Sequence, residues 1–149
     1  MQNKVQNIDF IFKQYEICVD MADKISQRRG ISNHFYSALL LAFVSAIALI
    51  FKDSLYESAG LIIILSLLGI AFSVIWILNI KSYKTLNKSK FKVIFEMEKL
   101  LPYNPYSKEW DYIAEENKYI RLTKIETLVP TIFIMAFVLI GFYAVAQYF

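Results

Sequence analysis

Residues 58–80 read SAGLIIILSLLGIAFSVIWILNI and carry no charged side chain. Two further uncharged stretches occur, FYSALLLAFVSAIALIF at 35–51 and TLVPTIFIMAFVLIGFYAVAQYF at 127–149. A helix crosses the hydrocarbon core of a bilayer with roughly 17–25 apolar residues, so all three stretches are long enough. The sequence therefore predicts an all-α integral membrane protein with three transmembrane helices. Their expected bounds are 34–51, 59–80 and 127–149, with a short outer turn at 52–58 between the first two.

The basic side chains are distributed unevenly around these stretches. Five precede residue 35, ten lie between 81 and 124, and Lys52 is the remaining one. The side of a membrane protein that is rich in Lys and Arg is normally cytoplasmic. We therefore expect the N-terminus and residues 81–126 in the cytosol and the C-terminus outside. Aromatic residues near the ends of the spans, such as Tyr36 and Trp76 at the cytosolic level, fit an interfacial belt.

The N-terminal segment, residues 1–33, carries apolar residues at helical spacing between Ile8 and Ile25, which predicts a cytosolic amphipathic helix. Gly30 is typical of a helix stop, and Ser32 and Asn33 are typical caps for the next helix. The apolar face either packs on other cytosolic helices or lies on the membrane surface. Packing is favoured because acids and bases are mixed on the polar face.

The segment 81–126 is predicted to form a cytosolic helical hairpin. No Gly or Pro follows Ile80, so the second span is expected to continue as one helix to about Leu101. A proline turn at 102–105 then stops it, and Ser107 is expected to cap a helix over 108–126 that leads into the third span. A pair of helices buries too little surface to be stable alone, so packing on residues 1–33 or on neighbouring subunits is expected. One apolar face of the first arm contains Leu86, Lys90, Ile94, Met97 and Leu101, with Val93 and Leu100 beside it.

Catalytic chemistry is not indicated. The only histidine, His34, and the only cysteine, Cys18, are too far apart in sequence to suggest a zinc site. Glu96 and Glu98 diverge on a helix and are predicted to be solvated surface residues. The three uncharged stretches contain no Asp, Glu, Lys, Arg or His of the kind that transporters use. The net charge of +3 is too small to suggest nucleic acid. We expect no enzymatic activity, no cofactor, no metal site and no small-molecule substrate.

Two sets of residues are candidates for non-catalytic contacts. Small residues recur every four positions in the first and second spans, which allows close approach of helices in lipid. They join either spans one and two or separate subunits, and the serines of the spans are expected to bond to their own helix. These helix-packing or oligomerisation candidates are Ala38, Ala42, Ala46, Gly69 and Ser73. The lysines Lys84, Lys88 and Lys92 are candidates for contact with anionic lipid, although such a run more often only sets topology.

The stretch SYKTLNKSKFKVIFEMEKLLPYNPYSKEW at 82–110 resembles small bacterial inner-membrane proteins of the RipA-like family, which are described as octameric. The resemblance extends to RRGISNHFYSALL at 28–40 and YIRLTKIETLVPTIF at 119–133. It implies a bacterial cytoplasmic-membrane protein that self-assembles, with a role in envelope or stress physiology. It transfers no catalytic or ligand-binding residue.

Two functional hypotheses follow. The first is a non-enzymatic homo-oligomer, an octamer by the resemblance, whose partners are the lipid bilayer and its own copies and which acts as an assembly or interaction platform. The second is a membrane-permeabilising effector or ion-conducting pore that is gated by the cytosolic module, as in anti-phage defence.

Overall fold

The computed structural model describes the backbone of residues 2–53, 55–116 and 122–148, and the side chains of 7–51, 59–116 and 122–147. Helix is the only regular structure within these residues, so the predicted all-α class is confirmed. Three helices in the described part of the chain, over Asn7–Phe51, Ala59–Glu98 and Leu122–Gln147, are long and apolar enough to cross a membrane. The four helices are α1 (Gln2–Asp53), α2 (Leu55–Glu98), α3 (Pro105–Glu115) and α4 (Leu122–Tyr148).

Helix α1 runs through Gly30 without a break for 52 residues, so the predicted stop at Gly30 is wrong. A glycine in a helix interior costs only about 1 kcal/mol relative to alanine. The helical residues on both sides outweigh that cost. Ser32 and Asn33 consequently lie inside a helix and cap none.

Helix α2 is also continuous, from Leu55 to Glu98. Its 44 residues correspond to a length of about 66 Å at 1.5 Å per residue. The predicted extension of the second span beyond Ile80 is therefore correct, with an end three residues before Leu101. Both α1 and α2 extend into the predicted turn at 52–58, and Ser54 between them lies outside the described residues.

Helix α3 begins at Pro105, with Asn104 as its N-cap residue, so the predicted cap at Ser107 is wrong. Proline suits the first helical position because its fixed φ matches the helix and its missing N–H is not needed there. The predicted helix over 108–126 is described as α3 up to Glu115 and as α4 from Leu122. Residues 117–121 lie outside the described part of the chain.

The chain divides into two compact units. The polar unit comprises Met1–Arg29 and Ser82–Arg121, and the apolar unit comprises Gly30–Lys81 and Leu122–Phe149. The core of the polar unit contains Tyr15, Ala22 and Ile94, with Cys18, Val19, Phe91, Met97, Leu101 and Tyr106 packed against it. The core of the apolar unit contains Leu40, Ile47, Ile62, Trp76, Ile80, Phe137 and Ala144. Residues from α1, α2 and α3 thus share one core in the polar unit; its cytosolic location stays a prediction.

Candidate functional site

The carboxylate of Glu98 is the most buried ionisable group that the structure describes, with 1% of its surface exposed. The prediction that it is a solvated surface residue is wrong, whereas Glu96 is exposed as predicted. Oε1 accepts hydrogen bonds from the Tyr15 hydroxyl at 3.1 Å and from the Tyr106 backbone N–H at 2.9 Å. Oε2 accepts one from the Ser107 backbone N–H at 3.0 Å. Glu98 therefore connects α1, the end of α2 and the start of α3.

These hydrogen bonds give partners to backbone N–H groups at the N-terminus of α3. The first four backbone N–H groups of a helix lack partners within the helix. Here Pro105 has no N–H, Tyr106 and Ser107 donate to Glu98, and Lys108 donates to the Asn104 carbonyl at 3.2 Å. The Asn104 side chain makes no capping bond. A carboxylate at a helix N-terminus is also stabilised by the helix dipole, so Glu98 acts as the cap that α3 lacks locally.

The Tyr15 hydroxyl is held as a hydrogen-bond donor. Burial, and then the hydrogen bond and negative charge of Glu98, raise the pKa of Tyr15 well above its ordinary value. The folded state therefore keeps this hydroxyl protonated throughout the neutral range. The stability that the protonated Tyr15 hydroxyl contributes is fully present at pH values below the unfolded-state pKa, which is near 10. It declines only as the pH rises above that value.

An open groove lies between α1 and α3 in the polar unit, with a volume of about 730 Å³. Tyr15, Val19, Pro105 and Tyr106 form its walls, and four acids also line it. These acids are Glu16, Asp20, Asp23 and Glu109. Among the described residues, no group of three or more His, Cys, Asp or Glu is placed to hold a metal ion. The groove is a surface feature with a strong negative character.

A second polar network lies in the apolar unit and joins α1, α2 and α4. Trp76 Nε1 donates to Asn33 Oδ1 at 2.8 Å, and Asn33 Nδ2 donates to Glu126 Oε1 at 3.0 Å. The orientation of the Asn33 amide follows from its partners, because the indole N–H only donates and a carboxylate only accepts. The Tyr36 ring stacks on Trp76 at 6.0 Å between centroids. Trp76 is buried within the apolar unit, and its place in an interfacial belt stays a prediction.

Gly69 lies in a close contact between α2 and α4. A Cβ atom at this position would lie 2.5 Å from the Phe137 ring. Ser73 is fully buried, and its hydroxyl donates to the Gly69 carbonyl at 2.8 Å. The predicted alternatives were a contact with the first span or with another subunit. Gly69 packs against α4 of its own chain, and a further part in contacts with the first span or another subunit stays a prediction.

The alanine candidates in α1 have a different environment. Ala38 and Ala42 are exposed in the single chain, and Ala46 is half-buried. Their proposed part in oligomerisation stays a prediction. The lipid candidates Lys84, Lys88 and Lys92 are also exposed. With spacings of four residues they form one row on α2, and their contact with anionic lipid stays a prediction.

Ser66 differs from the other serines of the spans. Ser45 and Ser73 donate to carbonyls four residues earlier, as predicted. The Ser66 hydroxyl is buried and has no hydrogen-bond partner in the described part of the chain. Its Cβ lies 3.6 Å from where a Cβ at Gly141 would be. The hydroxyl therefore occupies a tight α2–α4 contact without compensation for its burial.

Replacing Ser66 with alanine is expected to raise the free energy of unfolding by about 1 kcal/mol. The substitution removes a buried hydroxyl that makes no hydrogen bond and leaves the packing methylene in place. Denaturant titration followed by circular dichroism in detergent micelles measures the change. Ser73→Ala is the matched control and is expected to lower stability, because it removes a made hydrogen bond. A loss of stability in Ser66→Ala would contradict the description of the Ser66 hydroxyl as buried without a hydrogen-bond partner.

Comparison with known proteins identifies the family. Residues 12–146 match the model of the octameric membrane protein family, 8xMP. The chain belongs to this family. It is therefore a homo-oligomeric membrane protein, and the predicted resemblance to small octameric membrane proteins is confirmed. The RipA-like label and a bacterial origin stay predictions. No curated protein and no solved structure matches the chain.

Membership in the octameric membrane protein family changes how the exposed apolar side chains are interpreted. In a single chain of a homo-oligomer, the surfaces that contact neighbouring copies are uncovered. The match includes residues of both units. We therefore expect contacts between copies in the polar unit as well as in the spans.

Proposed function

We propose that this member of the octameric membrane protein family is a non-enzymatic assembly or interaction platform in a bacterial cytoplasmic membrane, with a role in envelope or stress physiology. The N-terminus and the polar unit lie in the cytosol, and the C-terminus lies outside. The distribution of lysine and arginine supports this orientation.

The observation that carries the proposal is the Glu98 network in the polar unit. The three hydrogen bonds to Glu98 hold α1, α2 and α3 together. Both carboxylate oxygens accept hydrogen bonds from the protein itself, which supports a structural role for this buried acid. A polar unit that is held together by these bonds and exposes large apolar side chains is suited to contacts with other proteins.

Two measurements test the proposal. A fusion of alkaline phosphatase after Phe149 is expected to be active in intact bacteria, and a fluorescent protein at the same position is expected to be dark. Deletion of the gene is expected to increase sensitivity to envelope stress, and the wild-type gene is expected to restore resistance. A cytosolic C-terminus, or unchanged stress resistance, would count against the proposal.

The alternative is a permeabilising effector or pore gated by the polar unit. Its supporting observation is that α1 and α2 are unbroken helices that contribute residues to both units. The residues that would sense a cytosolic signal and the residues of two spans therefore belong to the same helices. Ion flux through liposomes that contain the purified protein would favour this function. Absence of flux with cytosolic extracts from phage-infected cells would exclude it.

A further inference from the structure

The polar unit exposes an ordered apolar surface. On α1, Phe10, Ile17 and Met21 are spaced by seven and four residues and so share one face. Leu86 and Val93 of α2, and Leu100 just after its end, recur every seven residues. All six side chains are 43–62% exposed. Lys90 Nζ of α2 lies 3.7 Å from Met21 Sδ of α1, which brings the two rows side by side. We call these six residues the apolar ridge.

The position of the ridge along α2 argues against burial in lipid. The uncharged stretch of α2 ends at Ile80, and Leu86 and Val93 follow it by 6 and 13 residues in one unbroken helix. Exposed apolar surface of this extent in a polar unit is typical of a protein interface.

The rim of the ridge is basic. Lys13, Lys24 and Arg28 flank it on α1 and Lys90 flanks it on α2, whereas Glu96 is the acid beside it on α2. Lys24 also pairs with Asp20 of its own helix at 2.6 Å. This exposed pair contributes little to stability, and Lys13 and Arg28 of the rim are also exposed.

The acidic groove lies on a different flank of α1. With 100° between successive helical residues, Glu16, Asp20 and Asp23 lie roughly a third of a turn away from the ridge residues Phe10, Ile17 and Met21. The residues lining the groove include four acids and no Lys or Arg, and its apolar wall contains Tyr15, Val19, Pro105 and Tyr106. The unit thus has a basic-rimmed apolar ridge on one flank and an acid-rimmed groove with an apolar wall on another.

We propose that the apolar ridge of one copy of this chain docks into the acidic groove of the next copy. In a ring, each neighbouring contact joins two different surfaces of identical subunits. The ridge and the groove form such a pair, because their rims are opposite in charge and each has an apolar centre. The inference rests on the self-assembly that is part of the proposed function, and it names the surfaces through which that assembly occurs.

Cysteine cross-linking tests the pairing directly. In a Cys18→Ser background, Ile17→Cys places a thiol on the ridge and Glu109→Cys places one at the groove. A short bismaleimide is expected to give a ladder of up to eight subunits with the double variant and monomers with each single variant. Dimers from Ile17→Cys alone would show ridge against ridge and overturn the proposal. Monomers from the double variant, with the octamer intact before denaturation, would overturn it too.

Charge reversal tests the same contact without thiols. Glu16→Lys with Asp23→Lys, or Lys13→Glu with Lys90→Glu, is expected to lower the octamer fraction in native mass spectrometry at least tenfold. Combining all four changes in one chain is expected to restore it to within twofold of wild type, because each contact again pairs opposite charges. Recovery also shows that the variants fold. Failure of the combined variant to recover, or an intact octamer in both double variants, would overturn the proposal.

Matched control variants test whether the effect of charge reversal is specific to the ridge and the groove. Lys84→Glu with Lys88→Glu, and Glu115→Lys with Glu116→Lys, make equal charge changes at exposed positions outside the ridge and groove and are expected to leave the octamer intact. Ridge variants that keep the octamer but lose binding to vesicles of phosphatidylglycerol and phosphatidylethanolamine would assign the ridge to the membrane and overturn the proposal. A wild-type protein that is monomeric throughout would instead refute the proposed platform function.

Discussion

Replacing Glu98 with alanine is expected to lower the free energy of unfolding of the polar unit by about 3 kcal/mol or more. The substitution leaves the Tyr15 hydroxyl and the Tyr106 and Ser107 amides without their acceptor. A buried donor that loses its partner costs about 1–3 kcal/mol, and the N-terminus of α3 also loses a negative charge that its dipole favours. Denaturant titration at constant protein concentration measures the loss.

Hydrogen exchange localises the effect of Glu98→Ala. The amides of Tyr106 and Ser107 are expected to exchange faster, while amides in the core of the apolar unit keep their protection. Glu96→Ala is the matched control, since Glu96 is an exposed acid two residues away, and its effect is expected within about 0.5 kcal/mol. Equal stability of the two variants would show that the Glu98 network does not hold the polar unit together.

Replacing Gly69 with alanine is expected to lower the free energy of unfolding by about 1–3 kcal/mol, because the added Cβ overlaps the Phe137 ring. Phe137 is fully buried, so its ring has little room to move away. Gly60→Ala is the control, since a Cβ there meets nothing within 4 Å. Its effect is expected to be neutral or stabilising, by up to about 1 kcal/mol.

A double-mutant cycle tests the cause of the Gly69 effect. Phe137→Leu removes part of the ring that the new methyl group meets, so Gly69→Ala is expected to cost at least about 1 kcal/mol less in that background. Additive effects of the two substitutions would contradict a direct contact between α2 and α4 at this position. The measurement is the same denaturant titration in detergent micelles.

The spans and the long helices were accessible to sequence analysis because their signals are local. An uncharged run such as residues 58–80 is a property of consecutive residues, and so is the absence of Gly and Pro between Ile80 and Leu101. Pro102 and Pro105 likewise fix the turn after α2 through their own backbone geometry. The errors at Gly30 and Ser107 arose where a weak local signal competed with a stronger neighbour, a continuous helix in one case and Pro105 in the other.

The two polar networks could not be predicted in the same way. Glu98 receives its hydrogen bonds from residues 83, 8 and 9 positions away, and Asn33 lies 43 residues from Trp76 and 93 from Glu126. Helical periodicity tells which residues share a face, but it does not tell which other helix covers that face. A glutamate shortly before a proline that begins a helix is a local sequence pattern that points to a capping role, such as that of Glu98.

The amino-acid sequence by itself determined the three apolar helices, the proline turn and the uneven distribution of charge, because lipid burial and backbone geometry act on neighbouring residues. Only the tertiary structure decided that Gly69 packs on Phe137 and that Glu98, not Glu96, is buried. Close packing and the satisfaction of buried hydrogen bonds depend on which distant segments meet, and that is settled by the whole folded chain.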